Sequence, residues 1–115
     1  MKLILAVIQP TKLRAVREAL GKIEVERFTV LDAQGYARQK GRPASYRGIE
    51  YKANLLRKIV LEIAVNDDFL ERTIEALTAV ARTGTEGAIG DGKIFVLPLE
   101  DCHQIGGGAR GKSAI

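Results

Sequence analysis

Lys58-Ile59-Val60-Leu61-Glu62-Ile63-Ala64-Val65, followed by Asn66-Asp67-Asp68, is the stretch on which the fold turns. Ile59, Leu61, Ile63 and Val65 alternate with Val60, Glu62 and Ala64, the period-2 pattern of a strand with one wholly apolar face. Asn66-Asp67-Asp68 ends that alternation and starts a helix. Asp68 and Glu71 have capping-box spacing, with Asp in the Ser/Thr place. Leu70, Ile74, Leu77 and Ala81 then recur as a helical stripe. Downstream, Thr83 to Gly92 is glycine-rich and reads as a loop, Lys93 to Leu99 as a last strand, and the remainder as a flexible glycine-rich tail.

Upstream, Leu3 to Gln9 is apolar at odd and even positions alike, which suits a strand covered on both faces. Pro10 and Thr11 end it and open a helix on which Leu13, Val16, Leu20 and Ile23 recur. A second strand is expected from about Val25 to Gly35. Tyr36 to Asn54 has neither period and holds Gly41, Pro43 and Gly48, which predicts a long loop. The order β-α-β-β-α-β is that of an α+β, ferredoxin-like fold, an antiparallel sheet with two helices on one face. Helices cover only one face, yet the first and last strands are apolar on both. The other face therefore calls for a partner, most simply another copy of the chain.

The 115 residues make one domain, 1–115, and 46% hydrophobic residues suffice for one core. The lone Cys102 excludes an intrachain disulfide and fits a reducing compartment, so a cytoplasmic protein is expected. Lys2 to Ile8 is too short for a membrane span, and no membrane insertion is expected. The net charge of +4 is scattered apart from Arg38, Lys40, Arg42 and Arg47. A base-stacking sheet needs exposed aromatics on its central strands, and Leu3 to Gln9 has none, so nucleic acid is not an expected partner.

Two loops have the residue types for ligand or partner chemistry. Gly84 to Lys93 brings glycines and a lysine together, so backbone amides could approach an anion. Gly87 to Lys93 has the spacing of a nucleotide-hydrolase G-x-x-x-x-G-K. Ile94 follows where a magnesium-binding Ser or Thr is needed, and a strand follows where a helix is needed. A plain chain-turning loop competes with anion binding here. In the second loop, Tyr46 and Tyr51 sit beside Arg47 and Glu50 as partner anchors or modification sites, against the alternative of a surface loop without a role. With a single His103 no Ser-His-Asp set assembles, and adjacent Cys102 and His103 do not point at one metal. No enzyme is expected.

Gly35-Tyr36-Ala37-Arg38-Gln39-Lys40-Gly41 with Tyr46-Arg47-Gly48-Ile49-Glu50-Tyr51 resembles the signalling (T) loop of the PII signal-transduction family, at about 36–54. Ala81-Arg82-Thr83-Gly84 and Ile89-Gly90-Asp91-Gly92-Lys93-Ile94-Phe95-Val96-Leu97-Pro98 resemble its phosphate-binding (B) loop, at about 83–93, and last strand. The likeness runs from Lys2 to Leu99. It implies a ferredoxin-like homotrimer that regulates nitrogen metabolism, with ATP and ADP competing in clefts between subunits and 2-oxoglutarate binding beside ATP through Mg2+. The T loop would engage a target enzyme or membrane transporter. By the same resemblance, Thr29, Gly35, Arg38, Gln39, Glu62, Ala64, Gly90, Asp91, Gly92 and Lys93 match nucleotide-site positions. Gln39, as magnesium ligand, and Lys58 match the 2-oxoglutarate site, and Tyr51 the modified tyrosine.

The chain also departs from the family pattern. A tail run Arg-x-Arg-Thr-Gly is replaced by Gln104-Ile105-Gly106-Gly107-Gly108, Gln9 stands where lysine is common, Ala37 stands for glycine, and the B loop carries about three extra residues, Thr85 to Gly87. Losing two guanidinium forks, at roughly 1.5–3 kcal/mol per charged hydrogen bond, weakens the hold on a triphosphate by about a hundredfold or more unless Arg110 or Lys112 folds back. The competing reading is therefore an interaction protein of the same fold with a degenerate or altered ligand site. Limited trypsin digestion is expected to cut first after Arg38, Lys40, Arg42 or Arg47. First cuts inside Lys58 to Val65 would contradict the loop assignment.

Overall fold

The computed structural model describes residues 1–36 and 55–115. Strand β1 (Lys2–Ile8) leads into helix α1 (Leu13–Lys22), then come β2 (Thr29–Tyr36), β3 (Leu55–Val65), α2 (Leu70–Ala81) and β4 (Gly92–Pro98). The sheet order is β2-β3-β1-β4 with every pairing antiparallel. This is the expected α+β, ferredoxin-like arrangement.

Alternation decides which side chains enter the core. Ile4, Ala6 and Ile8 of β1 and Ile59, Leu61, Ile63 and Val65 of β3 are buried together with Val16 and Leu20 of α1 and Leu77 of α2. Burying each large aliphatic of this set contributes about 1.5–3 kcal/mol. The stripe on α2 is as expected at Leu70, Leu77 and Ala81. The buried polar Thr73 was not expected there. Its hydroxyl donates to the Phe69 carbonyl at 2.6 Å, which satisfies it inside the helix.

Strand ends shift by one to about three residues: β2 takes in Tyr36 from the expected loop, β3 begins at Leu55 and β4 spans Gly92–Pro98. Two further differences have local reasons. Val25 was expected to begin the second strand, which instead begins at Thr29. After α1 the chain reverses through Glu24, at φ +65°. Val25 N–H donates to Leu20 C=O at 2.9 Å and Glu24 N–H to Gly21 C=O at 3.1 Å. This is a Schellman closure, so Val25 is used as the apolar cap of the helix and packs on the core. The expected capping box at Asp68 and Glu71 does not form. A 3-10 turn, Asp67–Phe69, precedes α2 and is closed by Phe69 N–H to Asn66 C=O, with no side-chain cap bond. The Asp67 carboxylate instead accepts from the Met1 ammonium at 3.0 Å.

The other sheet face stays open in the single chain. Register places Leu3 between Ala64 and Leu97, Leu5 between Glu62 and Phe95, and Val7 between Val60 and Lys93. Leu31, Phe95 and Leu97 are 40–48% exposed on it. Among the described residues no helix is long and apolar enough to cross a membrane.

Glu24 occupies a left-handed position that costs an L-residue roughly 1–2 kcal/mol. Glu24→Gly is expected to raise unfolding free energy in urea by about 1 kcal/mol. A loss of stability would contradict the Schellman reading.

Candidate functional site

The open face carries the site residues in two groups. Thr29 and Glu62 are cross-strand partners at one end, with Ala64 next along that face of β3. They border a cleft of about 780 Å³ shared with Val25, Phe28, Phe69 and the tail residues Cys102 and Ala114. The second group lies towards the other end. There a Cβ on Gly35 would sit 3.2 Å from the Lys58 stem, so glycine lets that lysine lie flat across β2. The Lys58 ammonium donates to the Gly90 carbonyl at 2.7 Å, which ties it to the turn of Gly90, Asp91, Gly92 and Lys93. Lys58 and Glu62 are four positions apart on β3, about 13 Å at the usual rise per residue. Within one chain the two groups of expected site residues are therefore separate. Arg38, Gln39 and Tyr51, with the rest of 37–54, lie outside the described residues.

The glycine-rich loop is built around Asp91. Its carboxylate accepts from Thr83 N–H at 2.9 Å, Thr83 Oγ1 at 2.6 Å, Ala88 N–H at 2.8 Å and Gln9 Nε2 at 3.3 Å. The Thr83 hydroxyl first, then the Thr83 and Ala88 amides, hold the Asp91 carboxyl well below the ordinary range, at about 2. Gly92 is required where the loop joins β4. Its φ is +125°, and a Cβ there would overlap the Val7 carbonyl. Lys93 has no ion-pair partner among the described residues, and with Lys58 it leaves this corner positive.

The tail from Glu100 has a fold of its own. His103 and Arg110 form an antiparallel bridge, and Gln104 N–H donates to Ala109 C=O at 2.9 Å. Arg110 donates to Asp101 Oδ2 through Nε at 2.8 Å, and His103 Nε2 lies 3.1 Å from the same oxygen. The Arg110 guanidinium first, and then the Cys102 amide, lower the Asp101 carboxyl to about 2. Of the two residues expected to replace the absent tail arginines, Arg110 is thus already committed to Asp101, while Lys112 has no ion-pair partner among the described residues. Gln104 and Gly106 lie in the hairpin, and Ala114 is buried near Cys102. Gln9 and Thr83 were noted in the sequence, but their bonds to Asp91 were not expected. Thr83 and Asp91 are eight residues apart, too far for a local turn pattern to mark the pair.

A model of the nitrogen regulatory protein P-II family matches residues 1–109. The chain belongs to that family. It is 53% identical over 115 residues to the nitrogen regulatory protein GlnK1 of Methanosarcina mazei, covering 100% of this chain and 97% of that protein. It is 45% identical to the nitrogen regulatory protein P-II of Azospirillum brasilense, with 100% of both chains covered. A crystal structure of Arabidopsis thaliana PII bound to citrate superposes with a TM-score of 0.78 at 33% identity, over 98% of this chain and 87% of that one. The relatives are named as regulators, and the chain is a PII-type signal-transduction protein rather than an enzyme.

Both lowered carboxyls make the same prediction about acid. A depressed folded value stabilises at every pH above the unfolded value near 4, and that contribution is lost as pH falls from about 4 through about 2. Carboxyl carbon shifts followed by NMR are expected to give midpoints near 2 for Asp91 and Asp101. Midpoints at the ordinary value would contradict the hydrogen-bond sets described.

Proposed function

We propose that this chain senses an adenine nucleotide at a site assembled between copies of itself, as a homotrimer, and controls nitrogen-metabolism enzymes or transporters through the segment 36–54. The observation that carries this reading is the pair of separated half-sites on one uncovered sheet face. Closing that face against a second copy lets the Thr29, Glu62 and Ala64 end of one subunit face the glycine-rich turn of its neighbour. A closed ring of copies buries the apolar residues that a monomer exposes.

The residues present fit the ligand class in two respects. The small Ala64 beside the apolar Val25, Phe28 and Phe69 offers a slot for a flat base, and Thr29 and Glu62 offer polar recognition. The other half supplies backbone amides and the ammonium groups of Lys58 and Lys93 for phosphate. Gln39 with a magnesium ion and Lys58 would hold 2-oxoglutarate in this reading, with Tyr51 the position for covalent modification.

Fit at the phosphate end is weaker. The family's tail arginines are Gln104 and Gly106 here, and Arg110 pairs with Asp101. Attraction in a partly buried cleft exceeds that in water several-fold, so the missing charges reduce the advantage of a third phosphate. This favours a second reading, an altered ligand site on a retained interaction scaffold.

Light scattering is expected to give about three times the 12.5 kDa chain mass, and a stable monomer at micromolar concentration would contradict the proposed assembly. Calorimetry is expected to show ATP, ADP and AMP binding within about tenfold of one another, since the terminal phosphate meets few charges. Gln104→Arg with Gly106→Arg is expected to strengthen ATP binding by about tenfold or more. No binding of any adenine nucleotide would overturn the sensing reading and leave the second one.

A further inference from the structure

The loop that approaches the anion contains a carboxylate, which in isolation would repel it. The geometry around Asp91 removes that conflict. A carboxylate has about four lone-pair sites. Oδ2 receives the Thr83 and Ala88 amides, and Oδ1 receives the Thr83 hydroxyl and Gln9 Nε2. All four sites are filled from within the chain, by donors from the exit of α2, from the loop and from the end of β1.

The same residue closes the turn from both sides. Asp91 N–H donates to the Ala88 carbonyl at 3.2 Å while its carboxylate accepts the Ala88 amide. The Gly90 carbonyl is drawn away by Lys58 Nζ at 2.7 Å and Gln9 Nε2 at 3.3 Å. Gly90 sits at φ +100°, as the third position of such a turn requires. What remains is a pair of consecutive amides, Ile89 N–H and Gly90 N–H, with no acceptor among the described residues. Consecutive free amides are the donors of an anion-binding concavity.

We propose that Asp91 is a positioning residue rather than a ligand contact: its carboxylate gathers the Thr83, Ala88 and Gln9 donors so that the Ile89 and Gly90 amides are left for a phosphate group. This replaces the expectation that Asp91 itself touches nucleotide, and its binding consequence rests on the nucleotide reading above. Gln9, which stands where the family commonly has lysine, serves the same arrangement by bonding both Asp91 and the Gly90 carbonyl.

The test compares full-length wild type with Asp91→Ala, Thr83→Val, Thr83→Ser and the double variant Asp91→Ala/Thr83→Val. Amide hydrogen exchange at Thr83 and Ala88 reads the positioning directly, and calorimetric titration with ATP reads its consequence. Asp91→Ala is expected to speed exchange at both amides and weaken ATP by about tenfold or more, the scale of losing a charged hydrogen-bond set. Thr83→Val is expected to weaken ATP in part, Thr83→Ser to restore it, and the double variant to bind no worse than Asp91→Ala. Tighter ATP binding by Asp91→Ala, as deletion of a negative charge alone gives, overturns the proposal. Weakened ATP with unchanged exchange also overturns it, because Asp91 then acts on the ligand directly. If wild type binds no ATP, the nucleotide reading falls and exchange decides the positioning role alone. Unchanged Thr83 and Ala88 exchange in Asp91→Ala then overturns it.

Discussion

Two helices can cover only one face of a four-stranded sheet, and the rest of this molecule is arranged around the face they leave. The constraint begins in β1 and β3. Ile4, Ala6, Ile8, Ile59, Leu61 and Ile63 commit one set of alternate positions to the helices. The period of two then forces Leu3, Leu5, Val7, Val60, Glu62 and Ala64 to the opposite side. Among the described residues, the proposed ligand residues are on that side or at its ends. Under the proposed function, the surface that a second copy would cover and the surface that holds the half-sites are one surface, and assembly and ligand binding are linked.

Charge at the two ends of this face is handled differently. At the loop end, Lys58 and Lys93 have no carboxylate partners among the described residues, and the local carboxylate, Asp91, is saturated by neutral donors. At the tail end, Arg110 is paired with Asp101 and the hairpin offers Gln104 and Gly106 instead of guanidinium groups. A site closed between copies in this way takes its phosphate charge mainly from one subunit. Under the proposed function, that asymmetry follows from Gln104 and Gly106 standing where the family pattern has arginines.

The elements on which the fold depends were legible because their periods are strong. β3 with Asn66-Asp67-Asp68 and the doubly apolar β1 sufficed to order the elements and to expose the uncovered face. Legibility failed where a residue has a second use. Val25 looks like a strand residue and caps a helix. Asp68 and Glu71 have capping spacing, yet a main-chain 3-10 turn does the work. The glycine-rich tail has no period, and its hairpin is closed by main-chain bonds and the Asp101 to Arg110 ion pair, which pattern does not mark. The half-site residues were expected from family resemblance, while the hydrogen bonds of Asp91 to its own loop showed only in the fold, because a carboxylate beside glycines looks alike whether it faces a ligand or its own loop.

The claim that the site belongs to two chains is tested most directly by mixing subunits. Lys93→Ala breaks the loop half and Glu62→Ala the cleft half, and each homogeneous oligomer is expected to lose ATP binding. When the two variants are unfolded together and refolded at equal concentration, random cyclic assembly pairs an intact loop with an intact neighbouring cleft at about one quarter of the sites. Calorimetry of the mixture should recover that fraction of wild-type stoichiometry at wild-type affinity. Recovery of none, with mixed oligomers confirmed by mass spectrometry, would place the site within a single chain and contradict the account.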